Sequence, residues 1–116
     1  MTFEHEIRDN GIILRLSGDL IGEDNGSKVL EVATDAIQKN VLIAIIDISG
    51  LRYINSSGIG VLITILTKFR NKGGEVFLMN PSESVKKLLV ITKLNAIFQI
   101  VNSEDEALEA LKKSLN

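Results

Sequence analysis

Polar and apolar positions alternate from the start of the chain. Phe3, His5 and Ile7 fall on one side, and Glu4, Glu6 and Arg8 on the other; this is the period of a half-buried strand. Asp9-Asn10-Gly11 follows, a strong hairpin signal. Beyond it Ile12, Leu14 and Leu16 alternate with Ile13, Arg15 and Ser17, which predicts a second strand antiparallel to the first. Gly18-Asp19-Leu20 continues as a short extended piece or a crossover.

From about Asn25 the period lengthens. Val29, Leu30, Ala33, Ala36 and Ile37 recur at helical spacing, and Asn40 suits the stop. Val41 to Ile48 is nearly all apolar and rich in β-branched residues, the pattern of a strand buried on both faces; Gly50 breaks it. A second helix is expected from near Ser57 through Ile59, Leu62, Ile63, Leu66 and Phe69. Gly73-Gly74 ends it, with Lys68, Arg70 and Lys72 placed for the negative end of its dipole. Glu75 to Met79 reads as a strand. Asn80-Pro81-Ser82-Glu83 reads as a helix start with Asn80 as N-cap, Pro81 in the first position and Glu83 in the third, and Val85, Leu88, Leu89 and Thr92 follow. Phe98 to Val101 is a last short strand. Ser103-Glu104-Asp105-Glu106 is a capping-box sequence that opens a final helix through Ala107, Leu108 and Leu111. After the opening hairpin, strands and helices alternate. The fold class is therefore α/β (α+β in its mixed order): one domain over residues 1–116, with a mixed sheet of about five strands and helices packed against it.

Composition narrows the function classes. Aromatics are only 4% of the chain, so the core is aliphatic. There is no Cys, hence no disulfide framework or thiolate chemistry. Thirteen Lys+Arg stand against 15 Asp+Glu, for a net charge of −2 with no basic stripe, which argues against nucleic acid as a direct partner. The N-terminal residues lack the apolar core of a signal peptide, and no apolar run is long enough to span a membrane. A cytoplasmic protein without a membrane partner is expected.

The informative stretch runs from Asp47 through Tyr53-Ile54-Asn55-Ser56-Ser57-Gly58-Ile59-Gly60 to Ile63. A buried strand ends, a short loop leads to two serines, and two glycines fall in the first turn of an apolar helix. Free N–H groups at a helix start favour an acceptor oxygen or a negative charge, so a serine there tolerates a phosphate. Glycine lets another backbone or a bulky group approach closely. A structural reading stands beside this one. Serine is common at helix starts as an N-cap worth about 1 kcal/mol, although each helical glycine costs roughly 1 kcal/mol against alanine.

Tyr53-Ile54-Asn55-Ser56-Ser57-Gly58-Ile59-Gly60-Val61-Leu62 resembles the phosphorylation-site segment of bacterial anti-sigma-factor antagonists, which are STAS domains. The family pattern reads aromatic–apolar–Asp–Ser–Ser/Thr–Gly–Leu–Gly, followed by an apolar helix. The resemblance extends over nearly the whole chain. Gly18-Asp19-Leu20, Ile46-Asp47-Ile48-Ser49, Gly73-Gly74-Glu75 to Asn80, and Leu88 to Phe98 match further family features. The departure is Asn55 where an Asp is usual, which removes a negative charge beside the serines. The resemblance implies a STAS fold and a partner-switching role without catalytic residue, metal or cofactor. Unphosphorylated antagonist binds an anti-sigma factor that is itself an ATP-dependent serine kinase, and thereby frees a sigma factor for transcription. The kinase phosphorylates Ser57, with Ser56 as the alternative, and a phosphoserine phosphatase resets it. Asp19, Asn55, Ser56, Ser57, Gly58, Ile59 and Gly60 are the implied partner-binding residues.

Two rivals remain at this level. Asn55 favours a non-switching STAS scaffold, such as an accessory subunit of a transporter or signalling complex. A serine hydrolase would need a G-x-S-x-G elbow, but Asn55 stands where its first Gly belongs, and His5, the only His, sits in an alternating strand. Asn25-Gly26-Ser27 and Asn55-Ser56-Ser57 match the glycosylation sequon without a secretory signal. Glu104-Asp105-Glu106 reads as a charge complement to a helix start.

Overall fold

Strand β1 (Thr2–Arg8) lies antiparallel to β2 (Gly11–Leu20), in register from Thr2 opposite Ser17 to Arg8 opposite Gly11. The computed structural model describes residues 1–8, 11–21 and 24–114, so Asp9 and Asn10 of the expected hairpin turn lie outside the described residues. Helix α1 (Asp24–Gln38) leads to β3 (Ile43–Ile54), and α2 (Ser56–Asn71) to β4 (Glu75–Met79). Helix α3 (Glu83–Ile91) and a 3-10 turn (Leu94–Ala96) lead to β5 (Gln99–Val101), and α4 (Glu104–Ser114) follows. The sheet order is β1-β2-β3-β4-β5, with every pair after the first parallel. The mixed five-stranded sheet expected from the alternating elements is thus present.

The period-2 pattern sorts the side chains between two cores. Ile12, Leu14, Leu16, Ala44, Ile46, Ile48, Val76 and Leu78 face one side, where Val29 and Ala33 of α1, Leu62 and Ile65 of α2, and Val85 and Leu89 of α3 meet them. Ile13, Ile43, Ile45, Phe77 and Met79 face the other side and pack with Val101 of β5 and Ala107 of α4. Three crossover helices on one face follow from successive parallel connections of one hand. Both faces of β3 are covered, as its apolar run requires.

Two sequence boundaries are corrected. Gly50 does not end the third strand, which continues to Ile54. The register instead slips between Arg15 and Ser17, and Gly50 pairs with Ser17. This is a bulge of the kind a strand glycine permits. The Asp47 carboxylate supports it by accepting from the Ser49 N–H at 3.0 Å and the Ser49 hydroxyl at 2.7 Å. A side chain at Gly50 would press on the Ser17 hydroxyl at 2.8 Å. The second correction concerns α3. Its N-cap is Ser82, whose hydroxyl accepts from Val85 N–H at 3.4 Å. Asn80 instead takes φ 53° and donates its N–H to the Val101 carbonyl at 2.8 Å, tying the turn to β5. The start of α4 keeps the capping logic: Ser103 Oγ accepts from Glu106 N–H, and the Glu106 carboxylate accepts from Asn102 N–H, each at 3.1 Å.

Candidate functional site

The two central parallel strands, β2 and β3, end together and carry the site. Leu20 pairs with Ile54 and Asp19 with Tyr53, after a second register slip between Gly18 and Asp19 that leaves Arg52 as the extra residue. Arg52 reaches back across the strands to the Asp19 carboxylate at 3.4 Å, an exposed ion pair. Ile54 turns into the core, whereas Tyr53 is 55% exposed. The start of α3 is tied to the same strand end: Ser82 Oγ donates to the Leu51 carbonyl at 3.3 Å, and Ser84 Oγ to the Arg52 carbonyl at 3.5 Å.

The N-cap of α2 is Asn55, with an extended backbone at φ −93°, ψ −179°. Its Oδ1 accepts from Gly58 N–H at 2.8 Å, and its carbonyl accepts the first helical bond from Ile59 N–H at 2.9 Å. The structural reading that makes a serine the cap is therefore displaced. Ser56 and Ser57 occupy the first and second helical positions, both exposed. Their N–H groups precede the first intrahelical bond and sit at the positive end of the dipole. No acidic residue occupies this first turn, while Lys68 and Arg70 lie in the last. Among the described residues neither serine hydroxyl makes a side-chain hydrogen bond to an imidazole or carboxylate, and His5 is exposed on β1 opposite Leu14.

The two glycines separate. Gly58 is buried, and a Cβ there would collide with the carbonyl oxygen of Leu20 and lie 2.9 Å from Ile54 Cγ2. The backbone that approaches Gly58 is thus the chain's own. Leu20 O also accepts from Asn55 N–H at 3.2 Å, so one carbonyl at the end of β2 fixes the entry to the helix. Gly60 is exposed and has nothing within 4 Å of a Cβ. Ile59 is half-buried against the core. Of the seven residues singled out in the sequence, Asn55, Ser56, Ser57 and Gly60 form one accessible helix start, with Asp19 on the neighbouring strand end. Gly58 and Ile59 face inward. The Arg52–Asp19 pair was not legible from the motif, since only the bulge brings the two together.

A family model for the STAS domain matches residues 2–107. The chain belongs to the STAS domain family. This STAS domain is 30% identical over 114 residues to an anti-sigma F factor antagonist of Paenibacillus polymyxa, spanning 97% of this chain and 96% of that protein. Its fold superposes on the crystal structure of a Thermotoga maritima protein with a TM-score of 0.86 at 27% identity, covering 95% of this chain and 94% of that one. The Bacillus cell fate determinant SpoIIAA, in its phosphorylated form, has the same fold: TM-score 0.76 and 21% identity over 95% of this chain and 99% of that one.

Proposed function

We propose that this STAS domain is an anti-sigma-factor antagonist that acts by partner switching, with Ser57 as the switch. The observation that carries the reading is an exposed serine in the first turn of a helix whose seat is rigid. Asn55 caps that turn, and Gly58 locks it against Leu20. The Paenibacillus polymyxa relative bears the name of such an antagonist, which supports the same reading.

In this mechanism the unphosphorylated helix start docks on an anti-sigma factor and frees its sigma factor. The anti-sigma factor, acting as a kinase, moves the γ-phosphoryl group of ATP to Ser57 Oγ, which gives up its proton, and ADP leaves. A phosphatase later hydrolyses the phosphoserine, releasing phosphate and restoring the hydroxyl. Phosphorylation adds about −1.5 to −2 of charge. At a helix N-terminus the fold accepts that charge, whereas the same charge unpaired in a closed interface costs several kcal/mol. About 1.4 kcal/mol already changes affinity tenfold. The switch therefore acts on docking and leaves folding intact. Binding is the chain's own part in the cycle, and the cytoplasm, where sigma factors act, is its place. Among the described residues no helix is long and apolar enough to cross a membrane.

The scaffold alternative draws on Asn55. Its Oδ1 caps Gly58 N–H as a carboxylate oxygen would, so the departure leaves the serine-bearing turn intact. The test incubates the purified protein with ATP and, one at a time, the anti-sigma factor kinases of its own genome. Phosphopeptide mapping and titration follow. Phosphate on Ser57 and loss of the complex with it are expected. Phosphate confined to Ser56, or a complex indifferent to phosphate, overturns the assignment.

A further inference from the structure

We infer that Asn55 sets partner specificity by presenting a hydrogen-bond donor to the docking partner, at a position where an aspartate would present an acceptor. The inference rests on the antagonist reading above and specifies the chemistry of the surface it docks on.

The orientation of the amide follows from its cap. The Gly58 N–H needs an oxygen, and Asn55 Oδ1 supplies it at 2.8 Å. The other end of the amide, Nδ2, is then a pure donor. Nδ2 makes no hydrogen bond within the described residues, and no buried side-chain polar atom among them lacks a partner, so solvent reaches Nδ2. It lies at the helix start that carries Ser56 and Ser57, both exposed. An aspartate would cap Gly58 equally well with one oxygen and turn the second, negative oxygen outward.

The surroundings sharpen the consequence. Every residue from Tyr53 to Thr67 is uncharged, in a chain that is 24% charged. The outer face of the first turns of α2, through Ser57, Gly60, Ile63 and Thr64, is therefore neutral. The Asp19 carboxylate on the adjacent strand is already matched by Arg52. A partner closing on this face meets the Nδ2 donor and must set an acceptor against it, such as a main-chain carbonyl, a side-chain amide oxygen or a carboxylate. A partner built for an aspartate would set a donor or a cation there, and donor would face donor. Leaving a polar group unmatched in a closed interface is the strong term in such recognition. A phosphate on Ser57 would be the one unmatched charge beside the paired Asp19 and Arg52, which sharpens the contrast between the two states.

The experiment compares wild type and Asn55→Asp in calorimetric titrations against the same purified anti-sigma factor kinases. Thermal melts confirm that the variant keeps its fold. Asn55→Asp is expected to melt at or above the wild-type midpoint, because a carboxylate caps the helix and complements its dipole. It is expected to bind on the order of ten- to a hundredfold more weakly, the effect of one unmatched polar group. In wild type labelled with nitrogen-15, the side-chain amide signal that Asn55→Asp removes should shift and exchange more slowly in the complex. Equal or tighter binding by a stably folded Asn55→Asp, or a side-chain amide signal unmoved in the complex, overturns the inference and leaves the antagonist reading standing. Failure of wild type itself to bind any of these kinases overturns the antagonist reading, and the inference with it.

Discussion

Gly58 rests directly on the carbonyl oxygen of Leu20, with no room for a Cβ between them. That oxygen also takes the N–H of Asn55 at 3.2 Å. The last carbonyl of β2 therefore sets both the cap and the first turn of α2, and it is what holds Ser56 and Ser57 out to solvent. Gly60, two residues on, shares none of this crowding.

The contrast predicts opposite effects of one substitution. Gly58→Ala should destabilise by about 2–3 kcal/mol, since the methyl group meets main chain that cannot yield. Gly60→Ala should stabilise by roughly 0.5–1 kcal/mol, the helix-propensity gain with nothing in the way. Urea denaturation of both variants checks this. Changes of the same sign would mean that the two positions are not packed as described.

Gly60 also predicts a separation of binding from stability. A Val at this position extends into open space, so Gly60→Val should unfold within about 1 kcal/mol of wild type. On the docking face the same bulk should weaken anti-sigma factor binding by at least about tenfold, through steric exclusion of the partner. Titration beside denaturation distinguishes the effects. A variant that binds as wild type would move the interface off this turn.

Charge at position 57 should be tolerated by the fold. Ser57→Asp places a carboxylate in the first turn of a helix that has no acidic residue there, where the dipole contributes about 0.3–1 kcal/mol in its favour. The thermal midpoint should hold or rise slightly while anti-sigma factor binding is lost. Ser57→Ala should bind and resist phosphorylation. Unfolding of the Asp variant would mark the serine as structural.

The far edge of the sheet predicts an acid-sensitive contribution. The guanidinium of Arg15, 2.7 Å from Glu6, and that of Arg8, 2.9 Å away, hold the Glu6 carboxyl below its ordinary pKa. A lowered folded pKa gives stability that is present above the unfolded value and is lost as pH falls through the folded one. Because Glu6 is half-buried at the surface and still open to solvent, the effect is small and screened by salt. Melting temperatures taken from neutral into acid solution should fall less steeply for Glu6→Gln than for wild type. Parallel curves would show that the ion pairs add nothing to the fold.

Local patterning made most elements legible. The two-residue period of β2, the helical spacing from Val29 to Ile37 and the apolar run of β3 appear as read, because each records which side of one element is dry; β1 is a strand as its period predicts, but His5 and Ile7 are exposed and only Phe3 of that side packs on the core. Asn40 does stop α1, in the left-handed region at φ 64°. The errors fall where two residue types compete for one local role. Asn80, Pro81 and Ser82 form a sequence in which either Asn or Ser can cap. The structure gives the cap to Ser82 because Asn80 is drawn to β5 by its bond to Val101. Gly50 reads as a strand break, yet pairing with Ser17 carries the strand past it.

The sequence by itself determined the element order, the two-faced apolar pattern of the sheet and the serine-glycine helix start. All of these depend on neighbours within a turn or a strand, where spacing along the chain is spacing in space. Only the tertiary structure decided that Gly58 serves the fold and Gly60 the surface. The same residue type two positions apart meets Leu20 in one case and solvent in the other. The tertiary structure likewise joined Arg52 to Asp19 through a register slip between parallel strands. Such contacts join residues far apart in sequence, and nothing in the local pattern records the carbonyl or carboxylate that a distant strand will bring alongside.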